Sequence, residues 1–157
     1  NGRLGGDLAA EEAAMISLDT NLLFPALEPS HRDHLAAKRW LTALDSEVAI
    51  SELVLMELYV LVRNPAIAAR PLGAAQAVAL IETLRTNPRW RLLDAPDGIM
   101  AMIWKKAAEP GFGRRRIFDA RIGVSLVRQG VTEFATRNVS DFQGLGFARV
   151  FDPLAQT

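Results

Sequence analysis

Short apolar runs alternate with longer amphipathic segments along most of this chain. Most of the short runs are apolar at successive positions, which is typical of strands buried on both faces of a parallel sheet. The longer segments carry apolar residues three and four positions apart, which predicts helices. Five strands are predicted, at residues 15–19, 47–51, 89–94, 133–137 and 148–152. Six helices are predicted, at residues 20–28, 31–46, 52–64, 72–87, 97–109 and 117–130.

The order of these elements predicts the fold class. Strands and helices that alternate throughout indicate an α/β protein, namely a three-layer α/β/α sandwich with a central, mainly parallel sheet of four or five strands. Proline and glycine mark the ends of elements, as Pro65 and Gly130 do after the third and the last predicted helix. Asp97 is a suitable residue to cap the helix that it precedes.

The composition narrows the class of protein. The chain has 157 residues and half of them are hydrophobic, which suits one domain with a substantial core. Lys plus Arg and Asp plus Glu each number 18, so no overall basic charge points to nucleic acid, although local patches would cancel in that sum. The chain contains no cysteine, which excludes disulfides, thiolate metal sites and a cysteine nucleophile.

The amino-terminal segment is set apart from the rest. Residues 1–14 lack the apolar stretch of a secretory signal, and no apolar run in the chain reaches the ~20 residues that cross a bilayer. We expect a cytoplasmic protein without membrane segments. Residues 1–14 are expected to be a flexible leader or an expression remnant, and residues 15–157 the domain itself. An acidic arm that docks on a partner or a second copy is the alternative for the leader.

Asp19 ends the first predicted strand, and Thr20 and Asn21 follow it directly. One explanation is helix capping, because Asp and Thr side chains accept hydrogen bonds from the free amides of a first turn. The other is a metal ligand, because open α/β sheets bind their ligands at the carboxyl ends of the strands. This segment alone leaves both explanations open.

Three more carboxylates lie in unusual places. Glu57 interrupts the apolar segment LVLMELYVLV, and no basic residue lies three or four positions away, so its structural alternative is a core Glu paired with a distant Arg. Asp119 opens an apolar helix and could be a cap. Asp141 lies among turn-forming residues just past a strand. Each of the three has a structural explanation as well as a functional one.

Taken together, the four carboxylates suggest a metal site. If the sheet is parallel, Asp19 and Asp141 fall at its carboxyl edge, and Glu57 can reach the same place from the helix after the second strand. Clustered carboxylates repel one another, and a divalent cation relieves the repulsion. Oxygen ligands without cysteine or a suitable histidine set favour Mg²⁺ or Mn²⁺ over Zn²⁺. Such sites usually perform phosphodiester chemistry.

The four segments that carry these carboxylates, taken together, resemble the motifs of a known family, the PIN-domain ribonucleases. The resemblance is strongest to the small VapC-type toxins of bacterial toxin–antitoxin pairs. The resemblance covers about residues 15–153. SLDTNLL is similar to the opening motif and SELVLMELYVLVRNP to the second. FDARIGVSLVRQGVTEFATRNVSDF is similar to the last two motifs, and GFARVFDP to the end of these toxins.

The resemblance implies a PIN-like fold and a Mg²⁺- or Mn²⁺-dependent endoribonuclease that uses a metal-activated water. Asp19, Glu57, Asp119 and Asp141 would be its catalytic, metal-binding carboxylates. Glu52 also lies in the second motif. We place Glu57 in the acidic position because a carboxylate at Glu52, in a first helical turn, is explained by the helix dipole alone.

The resemblance also implies supporting residues and partners. Thr20 and Asn21 would lie beside the acidic pocket, with Asn21 positioning the first Asp, and Thr136 and Asn138 would line the opposite wall. The substrate would be RNA. The protein would be a homodimer, held inactive by a VapB-type antitoxin whose tail enters the active-site groove, often with an Arg that pairs with the carboxylates.

The loop before Asp119 is a candidate RNA contact. Arg114, Arg115 and Arg116 could bind phosphates beside the metal site, and a solvated basic turn is the alternative. His31 and His34 are one helical turn apart, but nothing supplies the other ligands of a zinc site, so they are expected to belong to a solvated helix start.

Two other functional classes remain open from the sequence. One is a PIN-like nuclease that acts in RNA maturation, or on DNA, without an antitoxin. The other is a catalytically inactive nucleic-acid-binding module, whose mark would be the loss of one acidic position. All four acidic positions are filled in this chain.

Overall fold

All five predicted strands form and lie side by side in one sheet. The computed structural model describes residues 14–155. Its strands are β1 (Met15–Leu18), β2 (Glu47–Ser51), β3 (Trp90–Leu93), β4 (Glu133–Ala135) and β5 (Arg149–Phe151). The strand order is β3-β2-β1-β4-β5, and every pairing is parallel. In the central register, Ser17 lies opposite Ala49 on one side and Phe134 on the other.

Seven helices connect and cover these strands. They are α1 (Thr20–Leu27), α2 (His34–Thr42), α3 (Glu52–Val62), α4 (Ala74–Arg85), α5 (Ile99–Ala107), α6 (Arg116–Arg128) and α7 (Val139–Phe142). From β1 to β3 the chain moves towards one edge of the sheet, and from β3 it returns past β1 to β4. Right-handed crossovers therefore place α1 to α4 on one face and α5 and α6 on the other. The predicted α/β/α sandwich is confirmed.

The core lies on both sides of the central strands. Leu18, Ile50 and Phe134 are almost completely buried in the sheet, and Leu58 of α3 and Leu126 of α6 are buried against it. Fully burying a side chain of this size contributes roughly 1.5–3 kcal/mol. These apolar contacts fix the positions of α3 and α6 relative to β1 and β4.

Helix α7 is a feature that the sequence does not predict. The segment contains Asn138 and Ser140, which are common in turns, and it forms a single helical turn. Phe142 at its end is buried, and its ring lies 4.4 Å from the ring of Phe134, centroid to centroid. This aromatic contact anchors the segment that follows β4, including Asp141.

The predicted cap of α5 is wrong. Gly98, not Asp97, occupies the N-cap position, and no side chain caps this helix. The φ angle of Gly98 is 77°, a left-handed conformation that glycine adopts far more readily than other residues. The chain therefore enters α5 through a glycine turn, which leaves Asp97 outside the cap.

The leader prediction falls mainly outside the structure, because residues 1–13 lie outside the described range. Among residues 14–155, no helix combines the length and apolar character needed to cross a bilayer.

Gly123 of α6 allows the helix to approach the segment before β5. A Cβ atom at this position would lie 2.6 Å from Leu145 Cδ1 and 3.2 Å from Phe147 Cε2. We expect Gly123→Ala to lower the free energy of unfolding by roughly 1–3 kcal/mol, because extra atoms in a packed core force neighbours apart. Urea denaturation measures this effect.

Gly113→Ala is the matched control, since the nearest atom to its added Cβ is 3.9 Å away. A Gly123→Ala protein as stable as this control would contradict the close packing between α6 and residues 145–147.

Candidate active site

The strand order places a crevice at the carboxyl edge of the sheet. The order reverses between β1 and β4, and open α/β sheets bind ligands outside the carboxyl ends of the strands at such a point. A cavity of about 490 Å³ lies there. It is lined by Asp19, Thr20, Asn21, Glu57, Val60, Leu61, Asp119, Asn138 and Asp141. All four predicted carboxylates thus border one cavity, although they come from four separate segments.

Asp19 connects the end of β1 to the start of α1, and both explanations of its position are compatible. Its Oδ1 accepts a hydrogen bond from the Thr20 amide at 2.8 Å, which caps α1. Its Oδ2 accepts one from Thr136 Oγ1 at 2.7 Å. The side chain is only 8% exposed yet borders the cavity. Capping fixes the rotamer of the carboxylate and leaves it facing the crevice.

Glu57 is exposed at the cavity, so the alternative of a core Glu paired with a distant Arg is wrong. Its Oε2 accepts a hydrogen bond from Thr20 Oγ1 at 2.6 Å. The apolar helix α3 tolerates this carboxylate because Met56 and Val60, beside it, are also largely exposed. Glu52 lies outside this cavity and pairs with Arg85 at 2.8 Å, so its position is explained by an ion pair as well as by the helix dipole.

The prediction that Thr136 lines the wall of the pocket is wrong: it lies behind Asp19, at the centre of a hydrogen-bond network, and Asn138 alone of the predicted pair borders the cavity. Thr136 is fully buried, just past the end of β4. Besides donating to Asp19, its hydroxyl accepts from Asn21 Nδ2 at 3.3 Å and from the Asn138 amide at 3.0 Å. Asn21 therefore reaches Asp19 through Thr136 rather than by direct contact. The network joins the start of α1 to the segment after β4.

Arg137 is a residue that the sequence analysis missed. Its amide donates to Asn21 Oδ1 at 3.1 Å, and its guanidinium lies 3.3 Å from Asp33 Oδ2 and 3.1 Å from Asp152 Oδ2. It thereby ties the segment after β4 to the start of α2 and to the end of β5. The only sequence feature that could have pointed to Arg137 is its position between Thr136 and Asn138, two residues that were predicted to support the site.

Asp119 and Asp141 come from α6 and α7. Asp119 lies in the first turn of α6, but Arg115 holds the N-cap position and no side chain caps the helix, so the capping alternative is wrong. Arg116 Nε donates to the Asp141 carbonyl at 3.2 Å, and Arg116 Nη2 donates to the carbonyl of Gln143. This arginine holds α7 against α6.

The two aspartates at the centre of the site have raised pKa values. The pKa of Asp19 rises from 3.8 to about 6, chiefly because the carboxyl is buried, and the charge of Glu57 adds to the rise while the Thr136 hydrogen bond opposes it. The pKa of Asp119 also rises to about 6, through burial first and then through the charges of Asp141 and Glu57. Arg116 partly offsets the rise at Asp119.

The residues around the cavity fit a hard divalent cation, because the four carboxylates offer the oxygen ligands that such ions prefer. Among residues 14–155, no group of three or more Asp, Glu, His or Cys side chains is close enough together to hold a metal ion without further movement. Burial is the main cause of the raised pKa values of Asp19 and Asp119, and the charges of the neighbouring carboxylates add to the rise; a cation at the cavity would offset both effects.

The two histidines have local partners. His31 Nδ1 accepts a hydrogen bond from the Asp33 amide at 3.0 Å, and His34 Nδ1 lies 2.8 Å from the Pro25 carbonyl. The His31 contact lies in the turn before α2, whereas the His34 contact joins the first residue of α2 to α1. Both histidines are half-buried at the start of this helix.

Comparison with known proteins gives consistent matches. Residues 16–146 match the PIN domain family. The chain is 47% identical over 143 residues to ribonuclease VapC24 of Mycobacterium tuberculosis, which covers 89% of this chain and 97% of that protein.

Two solved structures share the fold. VapC20 of Mycobacterium tuberculosis, described as a Sarcin-Ricin loop cleaving toxin, matches with a TM-score of 0.61 and 17% identity, over 76% of this chain and 86% of that one. A chain of a toxin–antitoxin complex from Klebsiella pneumoniae matches with a TM-score of 0.57 and 21% identity, over 92% of this chain and 100% of its own length. At these identities the two structures support the architecture alone.

Proposed function

The chain belongs to the PIN-domain family, and on that premise we propose that it is a divalent-metal-dependent endoribonuclease and the toxin of a toxin–antitoxin pair. The observation that carries the proposal is the meeting of Asp19, Glu57, Asp119 and Asp141 at one cavity. The 47% identity to a protein named ribonuclease VapC24 supports RNA as the substrate.

In this proposal the four carboxylates hold Mg²⁺ or Mn²⁺. Such an ion, when bound, activates water and neutralises charge on the scissile phosphate. The protein's part is to keep the carboxylates ionised and oriented. Thr136 and the Thr20 amide hold the two oxygens of Asp19, and the Thr20 hydroxyl holds Glu57. Each charge-assisted hydrogen bond favours the ionised form that a cation requires.

Asn21, Asn138 and Arg137 act one step further out. Asn21 and the Asn138 amide both bond to the Thr136 hydroxyl, so that its hydrogen is directed at Asp19. Arg137 secures the same segment through Asp33 and Asp152. In the proposal, these residues keep the wall of the cavity rigid while the substrate binds.

We propose a VapB-type antitoxin as partner and a homodimer as the assembly. The matched Klebsiella pneumoniae chain comes from a toxin–antitoxin complex, which supports such a partner. An apolar groove of about 390 Å³ lies between α3 and α4, beside the active site, and Met56, Tyr59, Val60 and Val78 contribute to its lining. Exposed apolar side chains of this kind suit a protein contact.

Glu57→Gln tests the proposal at the exposed carboxylate. We expect purified wild-type protein to cleave total RNA in the presence of Mg²⁺ or Mn²⁺. We expect EDTA to abolish this cleavage. Glu57→Gln is expected to cleave at least about 10-fold more slowly, a loss of about 1.4 kcal/mol, because the substitution removes one negative charge from the cation site while the amide oxygen still accepts the Thr20 hydrogen bond.

Glu52→Gln is the matched control on the same helix, because its pair with Arg85 is a partly exposed ion pair outside the cavity. Equal loss of cleavage in the two variants would contradict the assignment of Glu57. Expression in cells gives a second measure, since wild type should arrest growth and Glu57→Gln should do so much less.

A further inference from the structure

Phe118 is the most exposed of the large apolar side chains in the described part of the chain, at 70% exposure. It lies in the first turn of α6 and directly precedes Asp119. An isolated exposed apolar residue needs no explanation by itself. Phe118 differs because exposed arginines flank it and the active site lies nearby.

Phe118 is flanked by positive charge on the surface of α6. Arg115 and Arg121 lie three residues before and after it, a spacing that places all three side chains on neighbouring positions of the helix surface. Both arginines are exposed, and within residues 14–155 neither makes an ion pair. We call Arg115, Phe118 and Arg121 the α6 stripe.

The α6 stripe adjoins the active site. Asp119 borders the cavity, and the Cα atom of Phe118 lies about 3.8 Å from that of Asp119. Successive side chains of a helix point about 100° apart, so Phe118 projects beside the cavity rather than into it, and Arg121 lies further round the helix. Arg115 lies one helical turn before Asp119. Of the three arginines predicted as RNA contacts, Arg116 bonds to the carbonyls of Asp141 and Gln143, whereas Arg114 and Arg115 are exposed.

We propose that Phe118 is a stacking platform for an unpaired RNA base next to the scissile phosphate, with Arg115 and Arg121 contacting the flanking phosphates. The inference rests on the proposed ribonuclease function and adds the kind of RNA that enters the site. Aromatic faces combined with free arginines are the means by which proteins hold single strands. A base inside an A-form duplex cannot offer its face, so the stripe selects loops or single strands.

A protein partner fits the stripe less well. Phe and Arg are both common in protein interfaces, so residue type alone does not separate the two kinds of partner. Within residues 14–155 neither Arg115 nor Arg121 makes an ion pair, and an RNA strand supplies a phosphate at every nucleotide, whereas a protein would have to supply a matching carboxylate for each of them. The charge of the stripe complements a polyanion.

The test uses the full chain and an RNA oligonucleotide that spans a cleavage site mapped in total RNA. Affinity is measured in Ca²⁺ for the single strand and for the same sequence in a duplex, and kcat and KM are measured in Mn²⁺. Phe118→Ala is expected to weaken single-strand binding about 5- to 100-fold, through KM rather than kcat. Phe118→Trp should restore the affinity.

Two control variants match the change in exposed surface. Leu35→Ala removes a similarly exposed apolar side chain on α2, and Arg89→Ala removes an exposed charge just before β3, at the amino edge of the sheet. Both should bind RNA like wild type. The salt dependence of binding is the slope of the logarithm of the association constant against the logarithm of the salt concentration. Arg115→Ala and Arg121→Ala should each make this slope about 0.7 less steep.

The outcomes separate this proposal from the proposed function. If wild type cleaves RNA but Phe118→Ala binds it equally well, the stacking proposal is overturned and the nuclease stands. If Phe118→Ala changes the oligomeric state in analytical ultracentrifugation and leaves monomer–RNA affinity intact, the residue is a protein contact and the proposal is likewise overturned. A wild type that neither binds nor cleaves RNA overturns both.

Discussion

Asp19→Asn is expected to slow metal-dependent RNA cleavage by at least about 1000-fold, the loss that follows from several kcal/mol of lost charge stabilisation at the scissile phosphate. Asp19 is the most buried of the four carboxylates, and it is coupled to both Glu57 and Asp119. Removal of its charge therefore weakens the centre of the cation site rather than its rim.

The substitution leaves the fold intact, which makes the prediction sharp. An Asn side chain caps helices as well as Asp does, so it keeps the bond from the Thr20 amide. Its NH2 group takes the place of Oδ2, and because the Thr136 oxygen already accepts from Asn21 and from the Asn138 amide, the substitution costs one hydrogen bond of this network. Single-turnover cleavage with circular dichroism of both proteins measures the effect. An Asp19→Asn protein that cleaves RNA at the wild-type rate would exclude Asp19 from the metal site.

The metal-free protein is expected to lose stability as the pH rises from about 4 to about 7. In the folded state the pKa of Asp19 is about 6, against 3.8 for the free side chain, so the folded protein binds the proton more tightly than the unfolded chain does. The stability from this group is complete below pH 4 and is lost as the pH passes 6. The shift corresponds to roughly 3 kcal/mol for Asp19.

Asp19→Asn isolates this contribution, because the variant cannot titrate at that position. Urea denaturation in EDTA at several pH values should show Asp19→Asn more stable than wild type at pH 7 and the difference vanishing towards pH 4. Mn²⁺ should then raise the melting temperature of wild type at pH 7 much more than at pH 5, because protons compete for the same carboxylates. A constant difference across the pH range would contradict the raised pKa of Asp19.

Part of the site could be predicted because parallel strands share an edge. Asp19 follows β1 and Asp141 lies past β4, and once the strands are parallel their carboxyl ends must meet. Glu57 stood out because a carboxylate is unusual in an apolar helix. The structure corrects the reason, since Glu57 faces solvent at the cavity and bonds to Thr20 rather than lying in the core.

Other features depend on distances across the fold that no local pattern records. Arg137 meets Asp33 and Asp152 from segments far apart in the chain. The short helix α7 forms because Phe142 packs on Phe134, which a sequence of turn-formers does not reveal. The cap of α5 differs because a left-handed glycine, rather than a side-chain bond from Asp97, sets the start of the helix.

By itself the sequence determined the alternation of strands and helices, the parallel sheet and the motifs that resemble a PIN-domain nuclease, because these depend on spacing along the chain. Only the tertiary structure decided how the carboxylates are held, through Thr20 and Thr136, and that Arg116 bonds to the segment of Asp141 while Arg115 and Arg121 make no ion pair within residues 14–155. Hydrogen bonds, burial and pKa values arise from neighbours brought together by folding, and so they become visible only when the chain is folded.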